Sequence, residues 1–143
     1  MRTVRQLLES KGPEVHAIGP DAAVIDAIRL MAEKGIGALV VLEPGGRLAG
    51  MVSERDYARK SVLDGRSSKE TPVRDIMTSD IFSVGLDDVA PACMKLVTER
   101  RVRHLPVVAD GEVVGLVSIG DLVKAVIEEQ QYELEQLQRY ITT

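Results

Sequence analysis

The sequence predicts an α/β fold of the α+β sandwich kind. Two tandem strand–helix–strand–strand–helix (βαββα) copies pack through their sheets about a pseudo-twofold. Three observations predict it. First, an apolar run with Gly at its third residue closes in Ser, two further residues and Asp. It occurs once as Leu48-Ala49-Gly50-Met51-Val52-Ser53-Glu54-Arg55-Asp56 and again as Val113-Val114-Gly115-Leu116-Val117-Ser118-Ile119-Gly120-Asp121. Second, the segments before these runs match at an offset of 66 residues, which becomes 65 after a turn one residue shorter in the second copy. Chance does not keep Gly, Ser and Asp in register through a loop deletion, so the chain is an internal duplication. Third, a half of about 60 residues is marginal alone, so the two halves must bury their sheet faces together.

The elements follow in order. Val4-Arg5-Gln6-Leu7-Leu8 is a short amphipathic turn or helix, stopped by Lys11-Gly12-Pro13. Val15-His16-Ala17-Ile18 forms a strand, and Asp21 caps a helix from Ala23 to Lys34 that ends on Gly35. Ala38 to Leu42 and Leu48 to Val52 form a hairpin about Pro44-Gly45-Gly46, and Ser53 opens a helix to about Leu63. The polar stretch Asp64 to Pro72 is a linker. In the second copy Ile81-Phe82-Ser83-Val84, the helix Val89 to Arg100, Leu105-Pro106-Val107-Val108 and the turn Asp110-Gly111 repeat the first. Val73-Arg74-Asp75-Ile76-Met77 echoes Val4 to Leu8. The expected domains are residues 1–66, a linker 67–72, residues 73–127, and a C-terminal helical extension 128–143. The last helix starts near Ile119 and runs to about Tyr140. Val123, Ile127, Gln130, Leu134, Leu137 and Ile141 keep the alternating spacing of a coiled-coil seam with one polar break, which predicts a subunit contact.

Composition excludes several classes. One Phe, three Tyr and no Trp leave no stacking platform for single strands, and a net charge of −4 argues against binding a nucleic-acid backbone. The lone Cys93 lies mid-helix as an inert thiol, and with two His leaves little for metal chemistry, so no metal is required. No apolar run approaches the roughly 20 residues that span a bilayer, so the expectation is a cytoplasmic protein without membrane contact. Nothing resembles a Walker loop or a dinucleotide fingerprint, and no residues suggest an enzyme.

With both motifs in place, the chain from about Val4 to Ile127 resembles the CBS domain pair, named for cystathionine β-synthase. Further marks are Gly37-Ala38-Leu39-Val40-Val41, Arg103-His104-Leu105-Pro106-Val107-Val108 and Ile76-Met77-Thr78. The resemblance implies a regulatory, signal-transduction module that binds adenosyl nucleotides in two clefts and commonly forms a homodimer, here as a standalone bacterial-type pair. AMP is the first expectation, with ADP, ATP and NAD(H) as rivals. An unidentified target protein is an expected partner, and a ligand-free dimerisation or docking module is the alternative.

A carboxylate can accept from both hydroxyls of a ribose at once, which nominates Asp56 and Asp121, with Ser53 and Ser118 adding a hydroxyl. A lone Ser-x-x-Asp reads more readily as a capping box than as a ligand site. Its duplication at matching junctions, with the resemblance, turns the reading toward ribose. Arg103 and His104 resemble the family's phosphate-contacting pair, and an Arg fork suits phosphate oxygens. Their counterparts Gly37 and Ala38 carry no charge, so in the first cleft Arg55, whose counterpart is Gly120, is the residue expected to supply phosphate charge from the other side. Backbone groups around Ala17-Ile18 and Ser83-Val84 would read the base, with Ile18, Val84, Met51 and Ile119 against the ring and Pro106 beside it. For Met51 ordinary core packing is the stronger reading. The segment Thr71-Pro72-Val73 borders a cleft in the same scheme.

Overall fold

The computed structural model describes residues 1–142. The order is α1 (Val4–Lys11), β1 (Ala17–Ile18), α2 (Val24–Lys34), β2 (Ala38–Leu42), β3 (Leu48–Ser53), α3 (Glu54–Tyr57), a π-helical turn (Ala58–Val62), a 3-10 turn (Val73–Asp75), α4 (Ala90–Arg100), β4 (His104–Ala109), β5 (Glu112–Ser118) and α5 (Ile119–Thr142). The chain divides into two compact units. One comprises Met1–Glu14, Ser83–Ala109 and Val114–Thr143; the other comprises Val15–Phe82 and Asp110–Val113. Each unit therefore joins one copy to the leading segment of the other copy.

In the unit holding the first copy, β1 pairs in parallel with β2, and β2 pairs antiparallel with β3, with Val40 opposite Met51 and Ala38 opposite Ser53. A continuous apolar run makes β2 a strand buried on both faces. Val24, Ala27 and Met31 from α2 pack with Leu39, Val41 and Val52 from the sheet and with Val73 and Ile76 from the leading segment of the second copy. Fully burying one such side chain stabilises by about 1.5–3 kcal/mol. That segment is held by backbone bonds: Val73 N–H donates to Ala22 O, Arg74 N–H to Pro20 O, and Val24 N–H to Thr71 O.

The other unit repeats this arrangement bond for bond. Val4 N–H donates to Asp88 O, Arg5 N–H to Leu86 O, and Ala90 N–H to Arg2 O. Val4, Leu7, Ala90, Cys93, Val97, Leu105, Val107 and Val117, the counterparts of the first unit's core, are all buried. Asp110 and Gly111 both take positive φ, as a two-residue hairpin between β4 and β5 requires.

Three local expectations need correction. Asp21 does not cap α2: its N-cap is Ala23, without a side-chain bond, and Asp21 accepts from Arg74 at 2.6 Å. The pairing recurs as Arg5 with Asp87 at 3.2 Å, so these acids fasten the leading segments instead. The strand Ile81–Val84 reduces to a single parallel bridge between Val84 and Val107, and Val15–Ile18 to the two residues of β1. With so few ladder bonds, neither stretch builds a longer strand. The helix after Ser53 begins as expected but passes into a π turn at Ala58. α5 is continuous, with Leu122 and Ala125 buried, and is exposed from Gln130 to the end of the described residues.

Candidate functional site

Both Ser-x-x-Asp motifs sit where a strand feeds a helix, and both form the capping box. Ser53 N–H donates to Asp56 Oδ2 at 3.0 Å and Asp56 N–H donates to Ser53 Oγ at 3.1 Å. Ser118 N–H donates to Asp121 Oδ2 at 2.8 Å and Asp121 N–H donates to Ser118 Oγ at 3.1 Å. A backbone latch accompanies each: Glu54 N–H donates to Gly37 O, and Ile119 N–H donates to Arg103 O. The latch places residues 37 and 103 beside the carboxylates from 16 or more residues away in sequence.

Around Asp56 the remaining oxygen is taken. Oδ1 accepts from Thr78 Oγ at 3.1 Å and pairs with Lys60 Nζ at 3.1 Å, while Oδ2 also accepts from Ser53 Oγ. The side chain is only 13% exposed. Thr78 is delivered by a bridge to Met51, in which each N–H donates to the other's carbonyl. That crossing explains Gly50, because a Cβ there would lie 2.6 Å from Thr78 O. Met51 is buried, as its core reading expects. Gly37 is half-buried, Ala38 is buried, and Ala17 and Ile18 are half-buried in β1, whereas Arg55 is exposed on α3.

Around Asp121 the arrangement is more open. Lys11 Nζ, at the end of α1, donates to Asp121 Oδ2 at 2.5 Å and to Leu116 O at 2.7 Å. Oδ1 has no hydrogen-bond partner among the described residues, and the side chain is 27% exposed. Gly115 is the counterpart of Gly50, but its Cβ would meet the Leu8 side chain at 2.6 Å rather than backbone. Burial raises the Asp121 carboxyl while the bonds from Lys11 and Ser118 lower it, and the net direction is below the ordinary value, so it is ionised at neutral pH. His104 is shifted the other way from a phosphate-binding cation. Burial first, then Lys11 and Arg103, push its pKa below 6.5 against the pull of Asp121, so the ring is neutral at pH 7. It can still donate one N–H.

Arg103 is exposed and makes no ion pair among the described residues. Val84 is buried, with its N–H donated to Pro106 O and its C=O accepting from Val108 N–H. The amide expected to read a base is therefore committed to the buried Pro106, and exposed Ser83 stands just before it. Ile119 is 39% exposed at the start of α5. Cys93 is buried among apolar residues, which pushes its thiol up to about 11.

Sequence reasoning missed Lys11, Lys60 and Thr78. Thr78 carried a signal, since it closes the quoted Ile76-Met77-Thr78. Lys60 stands one turn after Asp56, a spacing that pairs side chains. Lys11 stands 110 residues from Asp121 and gave none. Among the described residues no cluster of His, Cys, Asp and Glu could hold a metal ion, and no helix is long and apolar enough to cross a membrane.

Comparison with known proteins matches this architecture. The family model of the CBS domain fits residues 4–62 and again 73–128. The mitochondrial CBS domain-containing protein CBSX3 of Arabidopsis thaliana is 42% identical over 97% of this chain and 71% of its own length. A CBS-domain protein from Burkholderia ambifaria MC40-6 superposes with a TM-score of 0.84 at 51% identity, covering 90% of this chain and 96% of that one. A further CBS-domain crystal structure gives the same TM-score at 50% identity, covering 89% and 99%. With two matched repeats and the motif formed in each, the chain belongs to the CBS-domain family.

Proposed function

We propose that this protein is a regulatory module that binds an adenine nucleotide, AMP first, at the Asp121 site of its second repeat. CBS-domain proteins are commonly regulatory or signalling modules that bind adenosyl ligands, which supplies the class. The observation that carries the choice of site is the contrast between the two carboxylates. Asp121 keeps an oxygen open beside Lys11, Arg103 and His104, whereas Asp56 is saturated by Ser53, Thr78 and Lys60. Asp121 would accept from the ribose hydroxyls, Arg103 and a neutral His104 would meet the phosphate, and Ser83 and Ile119 would border the base.

The reading includes homodimerisation through α5 and a cytoplasmic setting. Ile127, Leu134, Leu137 and Ile141 are each more than half exposed along one helix. A helical end of about a dozen residues is marginal in water without tertiary contacts. A second copy laid along that seam would supply them. Nucleotide then acts by population shift, favouring whichever arrangement binds it better.

Calorimetry with AMP, ADP, ATP and NADH on the wild type and on Asp121→Ala tests the proposal. AMP binding in the micromolar range that weakens at least about tenfold in the variant supports it, since a charge-assisted bond is worth ~1.5–3 kcal/mol. The formed capping boxes favour a second reading, in which the motifs are only helix caps and the protein is a dimerisation or docking module. Binding no tighter than millimolar, or unchanged in Asp121→Ala, selects that reading. Truncation after Gln130 tests the dimer by sedimentation: a dimer that survives it removes α5 from the interface.

A further inference from the structure

Lys11 belongs to the leading segment of the chain, yet it is delivered to the second repeat. Thr3 caps α1 by accepting from Gln6 N–H, Val4 and Arg5 bond to Asp88 and Leu86, and Val4, Leu7 and Leu8 are buried. Gly12, at φ 103, stops the helix immediately after Lys11. The ammonium is thus placed on a fixed element, and two of its three donors are used, on Asp121 Oδ2 and Leu116 O.

The pairing is not a copy of the one in the other repeat. There the cation on the carboxylate is Lys60, four residues on in the π turn that continues α3. The counterpart of Lys60 on α5 is Ala125, which is buried and apolar. The second site takes its cation from a separate element, and both partners are partly exposed, Lys11 at 35% and Asp121 at 27%. Such a pair is screened by water and can be exchanged for another anion.

We propose that Lys11 is a phosphate-specificity residue that occupies the Asp121 carboxylate in the free protein and transfers to the phosphate of an arriving nucleotide. This rests on Asp121 being the ribose site. A ribose whose two hydroxyls engage both oxygens of Asp121 takes the open Oδ1 and competes with Lys11 for Oδ2. A neutral nucleoside then strands the ammonium, whereas a nucleoside monophosphate gives it a new anion beside Arg103. The same residue opposes the sugar and attracts the phosphate, so the site selects phosphorylated ligands and rejects adenosine.

Calorimetry with AMP and with adenosine on the wild type, Lys11→Met and Lys11→Arg tests this, with thermal melts to confirm folding. The wild type should prefer AMP over adenosine by at least about tenfold. In Lys11→Met, AMP should weaken roughly fivefold or more while adenosine holds or tightens, so the preference collapses from both sides. Lys11→Arg should keep the preference. If Lys11→Met shifts both ligands by one factor, or neither, Lys11 is only a structural tie for α1 and the proposal is overturned. If AMP binds the wild type but ignores Asp121→Ala, the ribose assignment fails and this one with it. If neither ligand binds the wild type, the nucleotide reading itself falls.

Discussion

Asp56 and Asp121 occupy the same place in two copies of one motif, and each caps its helix through Oδ2. They differ in what reaches the other side of the carboxylate. Thr78 and Lys60 close Asp56 to 13% exposure, while among the described residues Asp121 pairs with a single lysine and its Oδ1 has no partner. The backbone parts of the motif, the capping box and the latch from residue 37 or 103, are duplicated faithfully. The side chains that decide what the carboxylate does are not. In the proposed function, the duplicated framework leaves the Asp56 copy structural while the Asp121 copy takes the ligand.

The contrast can be broken most forcefully at the glycines. Gly50→Ala should cost about 3 kcal/mol, because its Cβ meets a backbone carbonyl that cannot swing away, whereas Gly115→Ala should cost about 1 kcal/mol as Leu8 changes rotamer. Denaturant melts of the two variants measure it, and equal losses would mean that the two crossings are equally soft. Next, Asp56→Ala should lower stability by about 2 kcal/mol, more than Asp121→Ala at about 1 kcal/mol, because it strands Thr78 and Lys60 as well as removing a cap. Nucleotide affinity should respond in the opposite order.

A smaller effect is expected where the copies differ only in the core. Cys93 corresponds to Ala27, and both are buried. Cys93→Ala should cost no more than about 1 kcal/mol, and the wild-type thiol should resist a disulfide reagent until the protein unfolds.

The smallest effect is the pH response of His104. Its folded pKa lies below 6.5 because of burial and the neighbouring cations, so the unfolded chain takes up a proton first. The stability it contributes is present above 6.5 and is lost as pH falls through the folded value. An NMR titration should place its midpoint below 6.5, and His104→Gln should flatten the stability slope just below pH 6.5. Asp121 titrates in a separate window, below the ordinary carboxylate value of 3.8.

The periodicity of the repeat made β2, β3, α2, α4 and α5 legible almost to the residue, since each is long enough for its hydrophobic pattern to repeat. The edges were not. Val15–Ile18 and Ile81–Val84 look alike as four-residue stretches with one polar residue each, yet one yields a two-residue strand and the other a single bridge, because pairing depends on the neighbour available. Asp21 looks like a cap because Asp often caps, yet Arg74 from a distant segment claims it, as Arg5 claims Asp87.

By itself the sequence determined the duplication, the two Ser-x-x-Asp junctions and the apolar face of the last helix. These are local patterns, spelled by residues within one or two turns of each other. Tertiary structure alone decided which leading segment joins which copy, and so which residues surround each carboxylate. Thr78 reaches Asp56 from 22 residues away and Lys11 reaches Asp121 from 110. Contacts at those separations leave no periodicity to read. They form because burying Val4 and Leu7 in one unit, and Val73 and Ile76 in the other, carries their polar neighbours along.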